Sequence, residues 1–336
     1  MEKERLIWAD SLKGLLIILV ILGHAIQSTL GNECFNNHLW NLIYSFHMPA
    51  FMAVSGWFAF RPIPNRGGYV TIIKRRCYQL LIPYILWSLI SLLIRGRFNL
   101  ISIWNMIIYP DTSFWFLWVL FLISVTFVTC QWMAKQIKCD ELLFIGLSCA
   151  ILFGAMVLFD IRVFGFQFLA YYILFYTAGY CIHRYSLNQR IRNKIVLASL
   201  FLVWCVLAWY WNMHSLPNWM PTVHFFPSSL LQYTYRGVTG IIAILVIFSI
   251  APIVLNNEGR LNIFIKEIGT LSLGLYVCHL TLMGSIVRTI KEILPSASNY
   301  IIIIIGFIVG FSLSLIIVEL LKSNKHAAKY LLGKIK

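Results

Sequence analysis

The sequence predicts an all-α, polytopic integral membrane protein with about ten transmembrane helices and both termini in the cytoplasm. The first reason is composition: of 336 residues, 60% are hydrophobic and only 12% are charged, whereas soluble domains carry about 25% charged residues. The second reason is a mean hydropathy of +0.80. These values exclude a water-soluble globule. In a membrane protein, a net charge of +15 is informative about which loops face the cytoplasm. It does not indicate a nucleic-acid partner.

Ten apolar runs have the length of about 20 residues that a helix needs to cross a bilayer. They lie at residues 12–30, 39–60, 77–94, 114–133, 142–159, 163–182, 195–211, 230–255, 268–290 and 300–321. The apolar stretch 98–109 is too short to cross, so we expect it in the interface or as a re-entrant segment. No small-residue cleavage site follows the first run, which predicts a retained helix. We expect one transmembrane domain over residues 1–336.

The third reason is the distribution of basic residues, which also supplies the orientation. With the N-terminus assigned to the cytoplasm, 21 of the 27 Lys and Arg residues fall on cytoplasmic segments, five fall on outer loops or helix ends, and Arg236 falls within a span. Cytoplasmic loops of membrane proteins are enriched in basic residues. The asymmetry therefore predicts ten spans and a multi-pass protein of the cell membrane, in contact with membrane lipid.

Five ionisable residues stand out within or near the predicted spans. Such a group is costly in hydrocarbon unless it is paired or faces a cavity, so each is a functional candidate. They are His24, His47, Arg236, His279 and Glu319. At 1.5 Å per helical residue, the three histidines all lie about 17–18 Å from the inner side of a hydrocarbon core that is about 30 Å thick. We expect them to share one polar cavity; the alternative is that each makes a separate hydrogen bond in the bundle.

Arg236 and Glu319 have less specific expectations. Arg236 lies nearer the outer face, where it either lines the acceptor side of a site or forms a structural ion pair. Glu319 lies near the inner end of the last helix, where it can reach water or Lys322. We do not expect Glu319 to be catalytic.

One face of the first helix suits a long anionic substrate. Lys13 and His24 are eleven residues apart, close to three turns, so they share a face, with His24 about 16 Å deeper than Lys13. Asp10 is expected to pair with Lys13 at i, i+3. An acyl-CoA has a suitable shape, with phosphates at the mouth and a reactive end at the histidine. The cations available for its phosphates are Lys13, Lys74, Arg75 and Arg76. The alternative is that the basic cluster serves only topology and anionic lipid.

Five motifs follow one another along the chain. They are Asp10-Ser-Leu-Lys13 through Gly23-His24, Phe46-His47-Met48-Pro49 with Ser55-Gly56, Arg75-Arg76 before Leu81-Ile82-Pro83-Tyr84, Phe114-Trp115-Phe116-Leu117, and Gly269-Thr-Leu-Ser272 through Tyr276-Val-Cys-His279. Together they resemble the membrane-bound acyltransferase family 3, which includes sugar O-acetyltransferases of the fucose 4-O-acetylase type. The resemblance covers essentially the whole chain. One departure is Lys13, since many members carry arginine there, and lysine lacks the bidentate fork.

The resemblance implies an O-acyltransferase that moves an acetyl or other short acyl group from acetyl-CoA or another acyl-CoA to a hydroxyl of a cell-surface or exported carbohydrate, without a metal. His24 would act as general base on the acceptor hydroxyl. His47, or His279 with Tyr276 and Ser272, would orient His24 or hydrogen-bond the developing oxyanion.

Other residues are candidates for the acceptor side or for a covalent intermediate. Trp115 could stack on a sugar face, and Arg236 could line the acceptor side. Ser55 or a histidine could carry the acyl group in a covalent alternative.

Two other classes of protein fit parts of the sequence. A transporter or flippase of a glycan or lipid-linked precursor also has polytopic helices with buried polar residues, but its expected pair of related halves with interrupted helices is not evident. A metal-dependent enzyme could use the three histidines as ligands, but no intramembrane carboxylate or His-x-x-His pair supports it.

Overall fold

A computed structural model of the chain describes residues 6–61, 66–110, 114–220, 228–257 and 259–334. Every regular element in these ranges is a helix, which confirms the all-α class. The α-helices are α1 Ile7–Leu30, α2 His38–Trp57, α3 Arg66–Arg76, α4 Ile82–Ile94, α5 Leu100–Ile108, α6 Trp115–Gln136, α7 Glu141–Phe159, α8 Phe166–Arg184, α9 Leu187–Arg190, α10 Lys194–Trp209, α11 Ser228–Val254, α12 Arg260–Thr270, α13 Ser272–Ile293, α14 Asn299–Ser323 and α15 Lys325–Tyr330.

Seven helical segments of the described chain are long and apolar enough to cross a membrane. They are Ile7–Asn36, Gly67–Ile94, Trp115–Gln136, Glu141–Phe159, Ser228–Val254, Ser272–Ile293 and Asn299–Ser323. The remaining three predicted spans coincide with α2 and α8, which are rich in polar and tyrosine residues, and with α10, which is apolar but has only 16 residues. Each of the ten predicted spans thus contains a helix, while the number that cross the membrane stays a prediction.

Two of the predicted spans are not the single helices that we expected. The span 77–94 is preceded by α3 and begins in a π-helical turn, Cys77–Leu81, before α4. The span 268–290 is interrupted at Leu271, whose φ of −100° and ψ of 1° end α12 before α13 begins. Without Pro in this stretch, the pattern of apolar residues did not show the interruption. The short stretch 98–109 contains the separate helix α5.

The described chain forms two compact units that alternate along the sequence. The first comprises Met1–Trp57 and Ala178–Glu319, and the second comprises Phe58–Thr177 and Leu320–Lys336. The first unit contains α1, α2 and α10 to α13, and the second contains α3 to α7 with α15. The predicted histidines all belong to the first unit.

In the first unit, α1 packs against α2, α12 and α13. Glycines allow the backbones of α1 and α12 to touch: a Cβ on Gly14 would lie 2.0 Å from the carbonyl oxygen of Ile265, and one on Gly269 would lie 1.7 Å from that of Asp10. Small residues commonly permit such close approach between helices in membranes. This contact fixes α1 against the helix that leads directly into α13.

In the second unit, the C-terminal segment packs on the helix that contains the π-turn. The indole N–H of Trp87 donates to the carbonyl oxygen of Leu331, at 2.9 Å. Gly333 has a φ of +61°, and a Cβ there would lie 2.5 Å from the carbonyl oxygen of Gln79. The left-handed backbone favours glycine at this position. These contacts hold α15 beside α4.

Candidate active site

The structure brings the three predicted histidines together in the first unit. The rings of His24 on α1 and His279 on α13 are 5.3 Å apart between centroids. Tyr44 on α2 joins His47 to this pair, because its ring lies 4.6 Å from that of His47 and 6.5 Å from that of His24. The three histidines, which the count of helical residues places at a similar depth, are therefore neighbours in the structure.

Tyr44 is held in place from two sides. Its ring stacks on the buried Trp40 at 3.7 Å between centroids and 19° between planes. On the opposite helix, a Cβ on Gly23 would lie only 2.8 Å from Cε2 of Tyr44. The glycine that precedes His24 thus leaves the space that the Tyr44 ring needs, and this ring sits between the two helices that carry His24 and His47.

Two of the histidines have their tautomer fixed by their own helices. Nδ1 of His47 lies 2.7 Å from the carbonyl oxygen of Ile43, and Nδ1 of His279 lies 2.7 Å from that of Leu275. Because a carbonyl only accepts, each Nδ1 must carry the proton, and Nε2 of each neutral ring then carries the lone pair. Neither neutral ring has a second N–H to give to an oxyanion, so acceptance of a hydrogen bond or a proton is their available chemistry.

Nε2 of His279 is buried and has no hydrogen-bond partner among the described residues. A buried acceptor without a donor is unfavourable by about 1–3 kcal/mol. The atom therefore marks a point at which a donor, such as a hydroxyl or an imidazole N–H, is favourable.

The histidines differ in their access to substrate. His47 is 1% exposed and His279 is fully buried, whereas His24 is half-buried. Of the three, His24 is therefore the candidate to contact a substrate. Within the described residues, no three His, Cys, Asp or Glu side chains are arranged to hold a metal ion.

Lys13 lies on the same continuous helix as His24, near the N-terminal end of that helix. Its Nζ is 2.6 Å from a carboxylate oxygen of Asp10, and the two side chains are 28% and 13% exposed. The expected i, i+3 pair is thus confirmed. Because Asp10 neutralises Lys13, an incoming phosphate must compete with this carboxylate for the ammonium group.

Tyr276 and Ser272 lie on α13 with His279. The ring of the buried Tyr276 is 5.9 Å from that of His279. Ser272 is the first residue of α13 and lies seven residues before His279, or about 10 Å along the helix. Tyr276 is therefore part of the cluster, whereas Ser272 is on the same helix at a distance.

Ser55 and Arg236 are engaged elsewhere in the first unit. The hydroxyl of Ser55 donates to the carbonyl oxygen of Phe51 at 3.2 Å, a bond within α2. The guanidinium of Arg236 lies 5.4 Å from the ring centroid of Trp211 and donates to the carbonyl oxygen of Met213 at 3.3 Å. Arg236 thus binds the segment that follows α10, which gives it a clear structural role.

Trp115 belongs to the second unit and to an aromatic stack there. Its ring lies 4.7 Å from that of Phe168 and 5.2 Å from that of Tyr172, both close to parallel with it. Two neighbouring rings already occupy part of its surface, so its assignment to the acceptor side stays a prediction.

The basic cluster also belongs to the second unit. Lys74, Arg75 and Arg76 are the last three residues of α3. Arg61 is exposed overall, but partial loss of solvent around its guanidinium lowers the pKa of this group. The positive charges of Arg76 and Arg75 lower the pKa of Arg61 further. None of these four cations has an acidic partner within the described ranges. A concentration of positive charge without carboxylates favours a polyanion.

The first unit also contains a cavity that differs in character from the histidine cluster. It has a volume of about 320 Å³, lies between α1, α2, α10 and α11, and is lined by apolar side chains such as Leu16, Phe46 and Val246. Such a lining offers no partner for sugar hydroxyls, so this cavity is not a suitable acceptor site.

Two polar residues of the cluster were missed by the sequence analysis. Gln27 lies within hydrogen-bonding reach of His24, and the hydroxyl of Tyr44 donates to Oε1 of Gln27 at 3.4 Å. Gln27 is three residues after His24, and Tyr44 is three residues before His47, so each shares a helix face with a histidine. The spacing of three residues from a histidine is the sequence signal for both positions. Neither side chain carries a charge at neutral pH, so neither stands out among the ionisable residues of the spans.

Comparison with known proteins identifies the family. A family profile described as "Acyltransferase domain", that of acyltransferase family 3, matches residues 6–319. The chain belongs to acyltransferase family 3. The match includes all three histidines, and it confirms the resemblance to this family. With seven suitable helices, this family 3 acyltransferase is a membrane protein.

Two curated relatives are similar to parts of this family 3 acyltransferase. The nodulation protein NolL of Sinorhizobium fredii is 33% identical over 150 residues, which are 41% of this chain and 41% of the relative. The nodulation protein NolL of Mesorhizobium japonicum is 32% identical over 122 residues, which are 34% of this chain and 32% of the relative. The matches thus span about two-fifths or less of these relatives. No solved structure matches the chain.

Proposed function

We propose that this family 3 acyltransferase moves an acetyl or other short acyl group from acyl-CoA to a hydroxyl of a cell-surface or exported carbohydrate, at the cell membrane. The observation that carries the proposal is the half-buried His24 beside the buried His279 in the helical first unit. A histidine so placed suits proton removal from a hydroxyl. The choice of a carbohydrate follows from the resemblance to sugar O-acetyltransferases.

In the proposed reaction, His24 takes the proton of the acceptor hydroxyl as the oxygen attacks the thioester carbonyl. A C–O bond forms, the C–S bond breaks, and the CoA thiolate leaves. The imidazolium of His24 then returns the proton to the thiolate, so the histidine is regenerated. Nε2 of His279, a buried acceptor, would bind the acceptor hydroxyl before attack.

For the donor, we propose two candidate sets of basic residues for binding phosphates of acyl-CoA. Lys13 serves in the first unit, and Lys74, Arg75 and Arg76 serve in the second. Hydrogen bonds from cations to phosphate oxygens are short and strong, and the two arginines can form bidentate contacts.

The direct experiment uses isolated membranes with and without the protein, labelled acetyl-CoA and extracted host glycans. We expect label on glycan only in membranes that contain the protein, and release of the label by mild alkali, as for an ester. Parallel assays with propionyl- and succinyl-CoA define the acyl group. If no acyl-CoA delivers label to any glycan above the background of membranes without the protein, the proposed reaction is wrong.

Replacing Lys13 with alanine is expected to raise the KM for acyl-CoA by about three- to tenfold, with little change in kcat at saturation. The reason is the loss of one partly exposed charge on phosphate, worth about 1 kcal/mol. Steady-state kinetics over a range of donor concentrations measure this. Lys194→Ala, at the exposed start of α10, is the control and should leave KM unchanged. An unaltered KM in Lys13→Ala itself would contradict the assigned phosphate contact.

The double variant Arg75→Ala/Arg76→Ala is expected to raise the donor KM by about tenfold or more, since it removes two potential bidentate contacts. The donor KM of the wild type should also rise with salt, because salt screens such contacts, and the variant should show a weaker dependence. Arg190→Ala/Arg192→Ala is the matched control, with two exposed arginines of the first unit. If the Arg75/Arg76 variant loses protein from the membrane but keeps the wild-type KM, the cluster serves topology and lipid only.

A further inference from the structure

His24 differs from the two other histidines in what determines its tautomer. His47 and His279 each bond Nδ1 to a carbonyl of their own helix. Among the described residues, no backbone carbonyl has a comparable bond to the ring of His24. A base whose lone pair must face an acceptor hydroxyl needs a partner that fixes which nitrogen is protonated. The side chains around His24 must therefore supply this constraint.

Gln27 is placed to supply it. It lies one helical turn beyond His24 on α1, and its side chain is within hydrogen-bonding reach of the imidazole. Oε1 of Gln27 also accepts the hydroxyl of Tyr44 at 3.4 Å. A phenol O–H that donates to the amide oxygen fixes the orientation of this amide, since its NH2 group only donates. Oε1 therefore faces the histidine cluster as an acceptor.

Tyr44 is itself rigidly placed. The stack on Trp40 and the space above Gly23 limit the movement of its ring, and the edge of that ring meets His47. Contacts thus continue from Trp40, near the N-terminal end of α2, through Tyr44 and Gln27 to His24.

We propose that Gln27 and Tyr44 are positioning residues for His24, an inference that rests on the proposed role of His24 as the base. Oε1 of Gln27 accepts the N–H of one ring nitrogen, so that the opposite nitrogen presents its lone pair to the acceptor hydroxyl. When His24 takes up the proton, the same oxygen remains bonded to the imidazolium. Gln27 thus has the place that a carboxylate has in a Ser-His-Asp triad, but as a neutral group that avoids a buried charge in the membrane.

The decisive variant is Gln27→Glu, measured as kcat/KM against pH. A carboxylate beside the ring favours the protonated, inactive form of His24. The acid limb of the profile should therefore move to higher pH by about one unit or more, with the rate approaching that of the wild type at alkaline pH. Gln27→Met, which keeps the length but loses the acceptor, should lower kcat by about fivefold to tenfold at every pH. The shift of the acid limb reports that residue 27 reaches the imidazole, and the loss of kcat in Gln27→Met reports that the acceptor of the wild-type amide is used.

Tyr44→Phe should lower kcat by a few-fold, because the amide of Gln27 loses its fixed orientation. Tyr235→Phe is the matched control, because the Tyr235 hydroxyl donates to the carbonyl oxygen of Leu207 at 2.6 Å in the same unit and not to Gln27. All variants are first compared by size-exclusion chromatography in detergent. A Gln27→Glu profile that superimposes on the wild type, or a Gln27→Met enzyme with wild-type kcat, overturns the inference. If His24→Ala retains full activity, the proposed function of His24 fails instead, so the two failures are distinguishable.

Discussion

Replacing His24 with alanine is expected to lower the rate of acyl transfer by about 10²–10⁴-fold, the usual contribution of a positioned general base. The effect should fall on kcat, because the ring is needed when the proton moves. Of the three histidines, His24 is the one that is not buried, which makes it the candidate to contact the substrate. Donor binding at Lys13, about 16 Å away along α1, should be little altered, so the donor KM is expected to stay close to that of the wild type.

The measurement is transfer of label from acetyl-CoA to glycan in membranes that contain equal amounts of each variant. His38→Ala is a suitable control, because His38 is exposed at the first residue of α2 and stacks on Trp209 at 5.2 Å, apart from the cluster. It removes an imidazole from the same unit and should retain activity. Equal transfer by His24→Ala and the wild type would show that another group is the base.

The position of the histidine cluster could be predicted from the sequence because the rise of an α-helix is constant. Once the ends of the apolar runs and the direction of each helix were assigned, the depths of His24, His47 and His279 followed by counting. The Asp10–Lys13 pair could be predicted for the same reason, since residues three apart on a helix are neighbours. These features depend on distances along single helices.

What could not be predicted depends on how the helices are rotated against each other. Tyr44 joins His47 to His24 only because Gly23 leaves space for its ring, and such complementarity between helices leaves no periodic signal in one chain. Trp115 stacks on Phe168 in the second unit, and this contact likewise depends on how helices pack against each other. The amide of Gln27 carries no charge, so its burial costs less than that of an ionisable group and gives a weaker signal in the sequence.

The interruption at Leu271 shows a further limit. Apolar periodicity indicates where a helix can lie in the membrane, but a break without proline arises from the backbone geometry of one residue. Here the break lies two residues after Gly269, where α12 touches the backbone of α1. The sequence contains the glycine, yet only the packed structure shows what the glycine permits.

Replacing Gly269 with alanine is expected to destabilise the first unit by about 3 kcal/mol or more, the upper range for overpacking. The added Cβ would lie 1.7 Å from the carbonyl oxygen of Asp10 and 2.9 Å from the backbone nitrogen of Gly14. Both are backbone atoms of α1, so neither can move without the helix. Alanine favours an isolated helix over glycine by about 1 kcal/mol, but this gain is smaller than the cost of separating α1 from α12. The separation also changes the distance between His24 on α1 and His279 on α13, so activity should fall with stability.

Gly284→Ala distinguishes this contact from a general effect of glycine replacement. Gly284 lies within α13 of the same unit, and a Cβ there meets nothing within 4 Å. It should therefore be neutral or slightly stabilising, as expected for an open helical site. Thermal unfolding in detergent, followed by size-exclusion chromatography, compares the two variants, and label transfer reports the histidine geometry. If Gly269→Ala unfolds at the temperature of Gly284→Ala and keeps full activity, the close contact between α1 and α12 does not determine the relative position of His24 and His279.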